Sequence, residues 1–319
     1  MKLSDNNSQP LISIIMPAYN CEQYIEYSIK SILNQTYTNW ELLIADDASR
    51  DKTKKIIDNY SDPRIRKFHN TTNLGYLKTC NKLFELATGE FIAFQDADDL
   101  SDPSRLEIQL NYLTQNNLKI CGTNLIGIDT DGNELYCSNY PENHDLIVDS
   151  LFSSSYYFIP NSFLFHKSIY LEIGGYNDFF DRIGAEDYYW TYLISEKYQL
   201  LNMKSALYYY RFNPNSVSGN LSDNPKKLYS GKMVNHLINQ RLMTGKDDLE
   251  DGNEYLVQEL MDSYIKPHLE NKSEFYSKMA TKYFYEGQKK RALILSLKSI
   301  FVNPLNTTSY RDFLHYLRK

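Results

Sequence analysis

The feature that most constrains the fold is an alternation of apolar and amphipathic segments over the first third of the chain. Residues 11–16, 40–45 and 90–95 are short apolar segments with the length of buried strands. Between them, apolar residues recur at helical spacing, as at 25–33. Strands that alternate with helices form βαβ units, so we predict an α/β fold with a mixed, mostly parallel sheet and helices on both faces.

Polar segments follow these three predicted strands directly. They read PAYN at 17–20, DDAS at 46–49 and DADD at 96–99. Right-handed crossovers make parallel strands point the same way, so their carboxyl ends share one edge, where open α/β sheets bind ligands. We therefore expect these segments to form one site.

Asp96 and Asp98 alternate along the chain and can point to one side of an extended segment. Packed carboxylates repel each other unless a cation joins them. Mg²⁺ and Mn²⁺ prefer oxygen ligands and are commonly held by one or two carboxylates plus substrate phosphates. The alternative is a solvated acidic turn before the helix that starts near Pro103.

Three further positions have both a chemical and a structural interpretation. Asp47 could accept a hydrogen bond from a ring N–H of uracil, thymine or guanine, or Asp46 and Asp47 could cap the next helix. Asp187, after Glu186, could be a general base, or the pair could cap a helix. Arg211 could bind a phosphate, or lie on the surface beside aromatic residues.

Composition excludes several classes of protein. A net charge of −6 argues against nucleic-acid binding. Four scattered cysteines do not predict a disulfide framework or a zinc site. No segment approaches the roughly 18 apolar residues of a membrane span, and the first ten residues lack the apolar core of a signal peptide. We therefore expect a cytoplasmic protein.

The second half of the chain changes in character. Residues 120–140 predict a β-hairpin with Asp131 and Gly132 in the turn. We expect a flexible N-terminus at 1–10 and a catalytic domain at 11–222, divided into a nucleotide-binding half (11–105) and an acceptor-binding half (106–222). A helical region at 223–319 follows. Its last fifty residues carry ten Lys/Arg and four Asp/Glu, which predicts peripheral membrane contact at the inner face of the membrane.

From 11 to 218 the order of motifs resembles that of the inverting family 2 glycosyltransferases, which have the GT-A fold and use nucleotide-sugars. The resemblance rests on SIIMPAYNCEQYIEYSIKSILNQTYTNWELLIADDASRDKT, on NLGYLKTCNKLFELATGEFIAFQDADDLSDPSRL and on AEDYYW. It implies a nucleotide-sugar donor, a divalent cation (Mn²⁺ or Mg²⁺) and a glycan or lipid-linked acceptor in surface polysaccharide synthesis. The donor is expected to be a UDP-sugar, with dTDP- and GDP-sugars as alternatives.

The resemblance also implies roles for individual residues. Asp187 would be the catalytic base, Glu186 and Trp190 would bind the acceptor, and Asp98 with Asp96 would bind the metal. The nucleotide-binding set would be Pro17, Ala18, Tyr19, Asn20, Asp46, Asp47, Asp96, Ala97, Asp98 and Arg211.

One position departs from the family pattern. Many members have a histidine two residues after the arginine of YYYRF, and this chain has Asn213, which we leave out of the metal set. Ser216 matches and is expected to touch the diphosphate. Two alternatives to glycosyl transfer are a nucleotidyltransferase on a related fold, which should carry a glycine-rich triphosphate loop, and a non-catalytic sugar-binding scaffold.

Overall fold

The computed structural model describes residues 9–152, 160–213, 224–285 and 287–319. The chain divides into two compact units, one of Met1–Leu221 with Val234–Asn239 and one of Ser222–Met233 with Gln240–Lys319. The predicted domain boundary at 222 and the predicted contact of Ser216 lie outside the described residues. So does most of the predicted flexible N-terminus.

The strands of the first unit form one sheet. They are β1 (Ile12–Ala18), β2 (Trp40–Asp46), β3 (Ile65–His69), β4 (Phe91–Phe94), β5 (Leu100–Ser101), β6 (Ile120–Ile128), β7 (Glu134–Cys137), β8 (Leu164–His166) and β9 (Asn202–Arg211). The order across the sheet is β3-β2-β1-β4-β8-β6-β9-β5, with β7 paired to β6.

Helices connect these strands and make up the C-terminal part of the chain. They are α1 (Ile25–Leu33), α2 (Thr53–Asp58), α3 (Tyr76–Leu86), α4 (Arg105–Asn116), α5 (His144–Phe152), α6 (Ser168–Ile173), α7 (Glu186–Ser195), α8 (Lys226–Thr244), α9 (Glu254–Glu270), α10 (Lys272–Tyr285), α11 (Lys289–Val302) and α12 (Thr307–Arg318). Short 3₁₀ helices occur at Pro160–Ser162 and Asp178–Phe180.

The first half of the sheet is parallel, as predicted. β1 lies between β2 and β4 and runs parallel to both, with Ala18 opposite Asp46 and Ile15 opposite Phe94. All residues of β1 and β2 are buried, because helices cover both faces of the sheet. This explains why these strands are apolar without alternation, and it puts the carboxyl ends of β1 to β4 at one edge.

Beyond β4 the pairing is mixed. β8 is antiparallel to both β4 and β6, whereas β9 is parallel to β6. β6 and β7 form the predicted hairpin, in which Gly132 has a φ of +92° that favours glycine. The α/β fold class with a C-terminal helical part is confirmed, and the purely parallel portion is confined to β1 to β4.

An aromatic cluster fixes α7 against the sheet. Trp190 of α7 packs on Phe84, Phe94 and Phe165, with ring centroids 5.4–6.2 Å apart. Its indole Nε1–H donates to the Gly174 carbonyl at 2.9 Å. Because the cluster anchors the helix, it also sets the position of the two acidic residues in the first turn of α7.

Candidate active site

The site begins where β1 ends. Pro17 and Ala18 are buried in the last part of β1, while Tyr19 is 45% exposed. Asn20 has a left-handed φ of 48°, and its backbone N–H donates to Ser49 Oγ at 2.9 Å. This contact joins the segment after β1 to the segment after β2, as the shared sheet edge predicts.

Asp46, the last residue of β2, and Asp47, which follows it, are both buried. Asp47 Oδ1 accepts hydrogen bonds from Asn70 Nδ2 and from the Leu74 N–H, each at 2.8 Å. Its Oδ2 accepts from the Gly75 N–H at 2.9 Å. Asp47 therefore holds the loop at 70–75 against the end of β2.

This loop, between β3 and α3, belongs to the site and was missed in the sequence. One signal could have found it: residues 70–75 follow a fourth parallel strand at the same edge. Most of its contribution comes from backbone N–H groups, which no side-chain pattern reveals. Tyr76, just after the loop, donates its hydroxyl to Asp96 Oδ1 at 3.3 Å.

The acidic segment after β4 gathers three carboxylates rather than two. One oxygen each from Asp96, Asp98 and Asp99 lies within 4.8 Å of the others, a group that could hold a metal ion. Asp96 Oδ2 accepts a hydrogen bond from Asn161 Nδ2. Asp99 Oδ1 accepts from the Arg211 N–H at 2.7 Å, whereas its Oδ2 has no hydrogen-bond partner among the described residues.

These carboxylates resist ionisation in the folded protein. Burial, followed by the charge of Asp98, raises the pKa of Asp96 to about 7, and Asp187 adds to this shift. Burial raises the pKa of Asp98, and burial together with the two neighbouring charges raises the pKa of Asp99 well above its usual value. Crowded, partly unpaired carboxylates of this kind fit a divalent cation, since a cation removes both the repulsion and the unmet demand of Asp99 Oδ2.

Arg211 lies beneath this cluster. It is 5% exposed, its Nε–H donates to the Asp98 carbonyl at 2.8 Å, and its Nη1 donates to the carbonyls of Asp129 and Thr130. Its guanidinium also lies 4.8 Å from the Tyr24 ring centroid. Arg211 therefore holds the acidic segment in place through hydrogen bonds. The sequence had suggested phosphate binding or a surface position for Arg211, but not this role.

Asn213 contacts the cluster although the sequence left it out. Its Nδ2–H donates to Asp98 Oδ2 at 3.0 Å, and this hydrogen bond lowers the pKa of Asp98 against the effect of burial. The amide therefore orients the carboxylate that the sequence assigned to the metal. The pairing was not visible in the sequence because the two residues are separated by 115 positions.

The predicted base stands at the start of α7. Burial raises the pKa of Asp187, and its Oδ1 accepts from the Tyr188 N–H at 2.8 Å. Its charge contributes to the raised pKa of Asp96, so the two carboxylates interact electrostatically. The residue before the helix, Ala185, has a left-handed φ of 71°, and Gly184 has 86°. Strained backbone of this kind is common at functional sites.

The Trp190 side chain does not lie at the site with the two acidic residues of α7. It is 1% exposed and its indole N–H is already paired with a carbonyl. Its side chain packs in the aromatic cluster, on the side of α7 that faces the core. We therefore do not include Trp190 in the acceptor site proposed below.

Comparisons with known proteins agree with this geometry. Residues 13–174 match the family described as glycosyl transferase family 2. The chain is 34% identical over 209 residues to the putative glycosyltransferase EpsE of Bacillus subtilis, covering 63% of this chain and 73% of EpsE. It is 30% identical over 217 residues to WfaP of Escherichia coli, a UDP-Glc:alpha-D-GlcNAc-diphosphoundecaprenol beta-1,3-glucosyltransferase, covering 66% of this chain and 80% of WfaP.

A solved structure resembles the fold. A crystal structure of residues 1–349 of TarS from S. aureus, in complex with UDP-GlcNAc, matches with a TM-score of 0.60. The match covers 95% of this chain and 89% of that chain at 18% sequence identity. At this identity the likeness concerns the fold.

The sheet, whose parallel strand edge collects the acidic segments, has the GT-A class of fold, which the likeness to TarS supports. The chain belongs to glycosyl transferase family 2. The order of motifs from 11 to 218 had indicated this family, and the comparisons confirm it.

Proposed function

We propose that this glycosyltransferase transfers a sugar from a UDP-sugar to a hydroxyl of a glycan or lipid-linked acceptor, with inversion at the anomeric carbon. The observation that carries the proposal is the convergence of Asp187 with the carboxylates of Asp96, Asp98 and Asp99 at one sheet edge. Membership of a glycosyltransferase family favours this reaction over nucleotidyl transfer.

The nucleotide would lie on the segments that follow β1, β2 and β3. Pro17, Ala18 and Tyr19 would line the base pocket, and Asp47 would face the ring N–H of uracil. The three hydrogen bonds that fix Asp47 hold its carboxylate in one orientation. A carboxylate held in this way suits uracil, thymine or guanine, and the donors named for WfaP and TarS favour uracil.

Asp98 and Asp99 would hold a divalent cation, with Asp96 beside them. The cation would neutralise the departing nucleoside diphosphate. The chain's own contribution is orientation: Asn213 directs Asp98, the Arg211 N–H directs Asp99, and Tyr76 and Asn161 direct Asp96.

Asp187 would take the proton from the acceptor hydroxyl. A raised pKa makes its carboxylate a stronger base than an exposed aspartate, provided that the carboxylate is ionised when the acceptor binds. The acceptor oxygen would then attack the anomeric carbon from the face opposite the diphosphate, the bond from that carbon to the diphosphate oxygen would break, and the configuration would invert. Glu186, beside it, would contact the acceptor.

The relatives support a proposal for the acceptor. WfaP is named for transfer to a sugar on diphosphoundecaprenol, and we propose a comparable lipid-linked glycan here, in surface polysaccharide synthesis. Among the described residues, no helix has the length and apolar character needed to cross a bilayer. We propose peripheral contact with the membrane through the basic C-terminal helices as the way in which the protein meets such an acceptor.

The test is calorimetric titration of UDP, GDP and dTDP, each with and without Mn²⁺, against wild type and Asp98→Ala. We expect Mn²⁺-dependent binding of UDP that the variant loses, and Asp131→Asn, in the exposed hairpin turn, should leave binding unchanged. Turnover with a panel of UDP-sugars, and NMR of the product anomer, then decide between transfer and a non-catalytic scaffold. Absence of nucleotide binding in the presence of metal would contradict the proposal.

A further inference from the structure

Helix α11 has small residues on its buried side and large apolar residues on its exposed side, the reverse of the usual distribution. Its buried side carries small residues, Ala292, Ser296 and Ser299, which are at most 1% exposed. Its other side carries Ile294, Leu297 and Phe301, which are 55%, 51% and 88% exposed. A surface helix normally turns its large apolar residues to the core, so this arrangement needs a partner.

The small residues on the buried side explain how α11 is held without its large ones. Ser299 Oγ bonds to the Ser273 carbonyl and to Ser309 Oγ, which ties α11 to α10 and α12. Hydrogen bonds and close backbone approach thus replace apolar packing. Ile294, Leu297 and Phe301 are therefore available for contact with a partner.

Basic residues share the exposed side. At 100° per residue, Lys290, Ile294, Leu297, Lys298 and Phe301 fall on one half of the helix circumference, and all five are exposed. We call these five residues the α11 outer face. The Lys298 ammonium lies 5.6 Å from the ring centroid of Tyr276 on the neighbouring helix α10.

Along the chain, the charge of the segment that includes α11 has one sign. Residues 287–311 contain five Lys/Arg and no Asp/Glu. A second copy of the chain, placed face to face, would bring these positive charges together, and such like-charge contacts oppose association. An acidic surface with an apolar interior fits both the basic residues and the apolar ones.

We propose that the α11 outer face docks on a bilayer containing anionic phospholipid, with the helix lying in the plane of the interface. Phe301 and Leu297 enter the boundary between headgroups and acyl chains, and Lys290 and Lys298 meet the phosphates. Leu305, 88% exposed just after the helix, extends the apolar contact. The proposal deepens the proposed function, on which it rests for its purpose, by naming the surface that brings the enzyme to a lipid-linked acceptor.

The experiment is flotation of the full chain with vesicles of phosphatidylcholine alone or with about one third phosphatidylglycerol. We expect binding to the anionic vesicles only, weakened by salt. Leu297→Gln with Phe301→Gln should reduce vesicle affinity by about tenfold or more, and so should Lys290→Gln with Lys298→Gln. Leu242→Gln with Met243→Gln, at exposed apolar positions near the end of α8, is the matched control and should bind as wild type does.

Each other outcome overturns the proposal. Wild type that fails to float, or a control that loses binding as much as the α11 variants, removes the role of this face. Light scattering that shows a wild-type dimer dispersed by the apolar variant assigns the face to a second copy. Thermal unfolding verifies that the variants fold, and UDP titration of the same samples separates the two proposals, since lipid docking and nucleotide binding can fail independently.

Discussion

Glu41 lies at the edge of the sheet opposite the edge that carries Asp96, Asp98 and Asp99. Both places hold buried carboxylates, but the shifts in their pKa values have opposite signs. Near the start of β2, Glu41 accepts hydrogen bonds from Ser13 Oγ, from the Thr88 N–H and hydroxyl, and from Arg66 Nη1, all at 2.6–2.8 Å. Burial alone would raise the pKa of Glu41, but these hydrogen bonds outweigh it and lower the pKa.

Beyond the end of β4 the balance is reversed. Asp96, Asp98 and Asp99 are crowded by one another, and burial raises the pKa of each despite the hydrogen bonds that they accept. The protein supplies Glu41 with enough hydrogen-bond donors, but it does not do so for Asp96, Asp98 and Asp99, which we call the triad. The comparison teaches that Glu41, supplied with four donors, is part of the structure, whereas Asp99, with one oxygen left short of a donor, points to a ligand.

The largest expected effect concerns the base. Asp187→Asn should lower kcat by about 10²- to 10⁴-fold, because the amide cannot take a proton, while the melting temperature stays the same or rises. Turnover of a UDP-sugar and thermal unfolding measure the two quantities. Asp149→Asn, at an exposed position on α5, is the control, and a variant of Asp187 with turnover close to wild type would exclude it as the base.

The next effect tests the other edge. Glu41→Gln should lower the free energy of unfolding by about 2–3 kcal/mol, because an amide cannot accept as many hydrogen bonds and leaves Arg66 without its charge partner. Urea unfolding measures this. UDP binding by the folded variant should not change. Glu107→Gln, which alters an exposed residue with one hydrogen bond to Thr36, should cost far less, and equal losses in the two variants would end the contrast.

The same chemical change in the triad should have the opposite pattern. Asp99→Asn keeps an acceptor for the Arg211 N–H but removes the charge, so we expect Mn²⁺-dependent UDP binding to weaken by about 10- to 100-fold without loss of stability. Calorimetry and urea unfolding report the two effects. Asp102→Asn changes a nearby acid outside the triad and should leave metal dependence intact. A loss of unfolding free energy in Asp99→Asn as large as that in Glu41→Gln would show that the triad stabilises the fold rather than binding a metal.

The sequence predicted one edge better than the other, for a physical reason. β1, β2 and β4 are recognisable because full burial on both faces leaves continuous apolar segments. The polar segments that follow them are adjacent in sequence to these strands, so their convergence follows from topology alone. Glu41 and Ser13 lie inside apolar strands and were not singled out, because nothing local reveals a donor 47 residues away at Thr88.

Contacts made across the sheet were also beyond the sequence. Arg211 reaches the Asp129 carbonyl, 82 residues away, only because β9 pairs with β6. Asp99 joined the metal group because of its position after β4, although alternation had favoured Asp96 and Asp98. The resemblance assigned Trp190 to the acceptor, whereas its ring packs on Phe84 and Phe165 in the core, a contact across the fold that the local sequence does not reveal.

The smallest effect is a difference in pH dependence, measured by urea unfolding with a metal chelator present. For Glu41 the folded pKa lies below the unfolded value, so its stabilisation is complete above about pH 4 and is lost as pH falls through the folded pKa. The cost of Glu41→Gln should therefore be constant from pH 7 to 5 and shrink below about pH 4.

Asp96 should behave in the opposite sense. Its folded pKa of about 7 exceeds the unfolded value, so between roughly pH 4 and 7 the folded protein binds the extra proton and loses stability as pH rises. Asp96→Asn removes this penalty, so the variant should gain on wild type as pH rises through that window, by up to about 1.4 kcal/mol per pH unit. Slopes of the same sign for the two variants would mean that both edges hold their charges alike. Opposite slopes, with that of Asp96 vanishing when the chelator is replaced by Mn²⁺ and UDP, would show that the cation supplies the positive charge that Arg66 gives to Glu41.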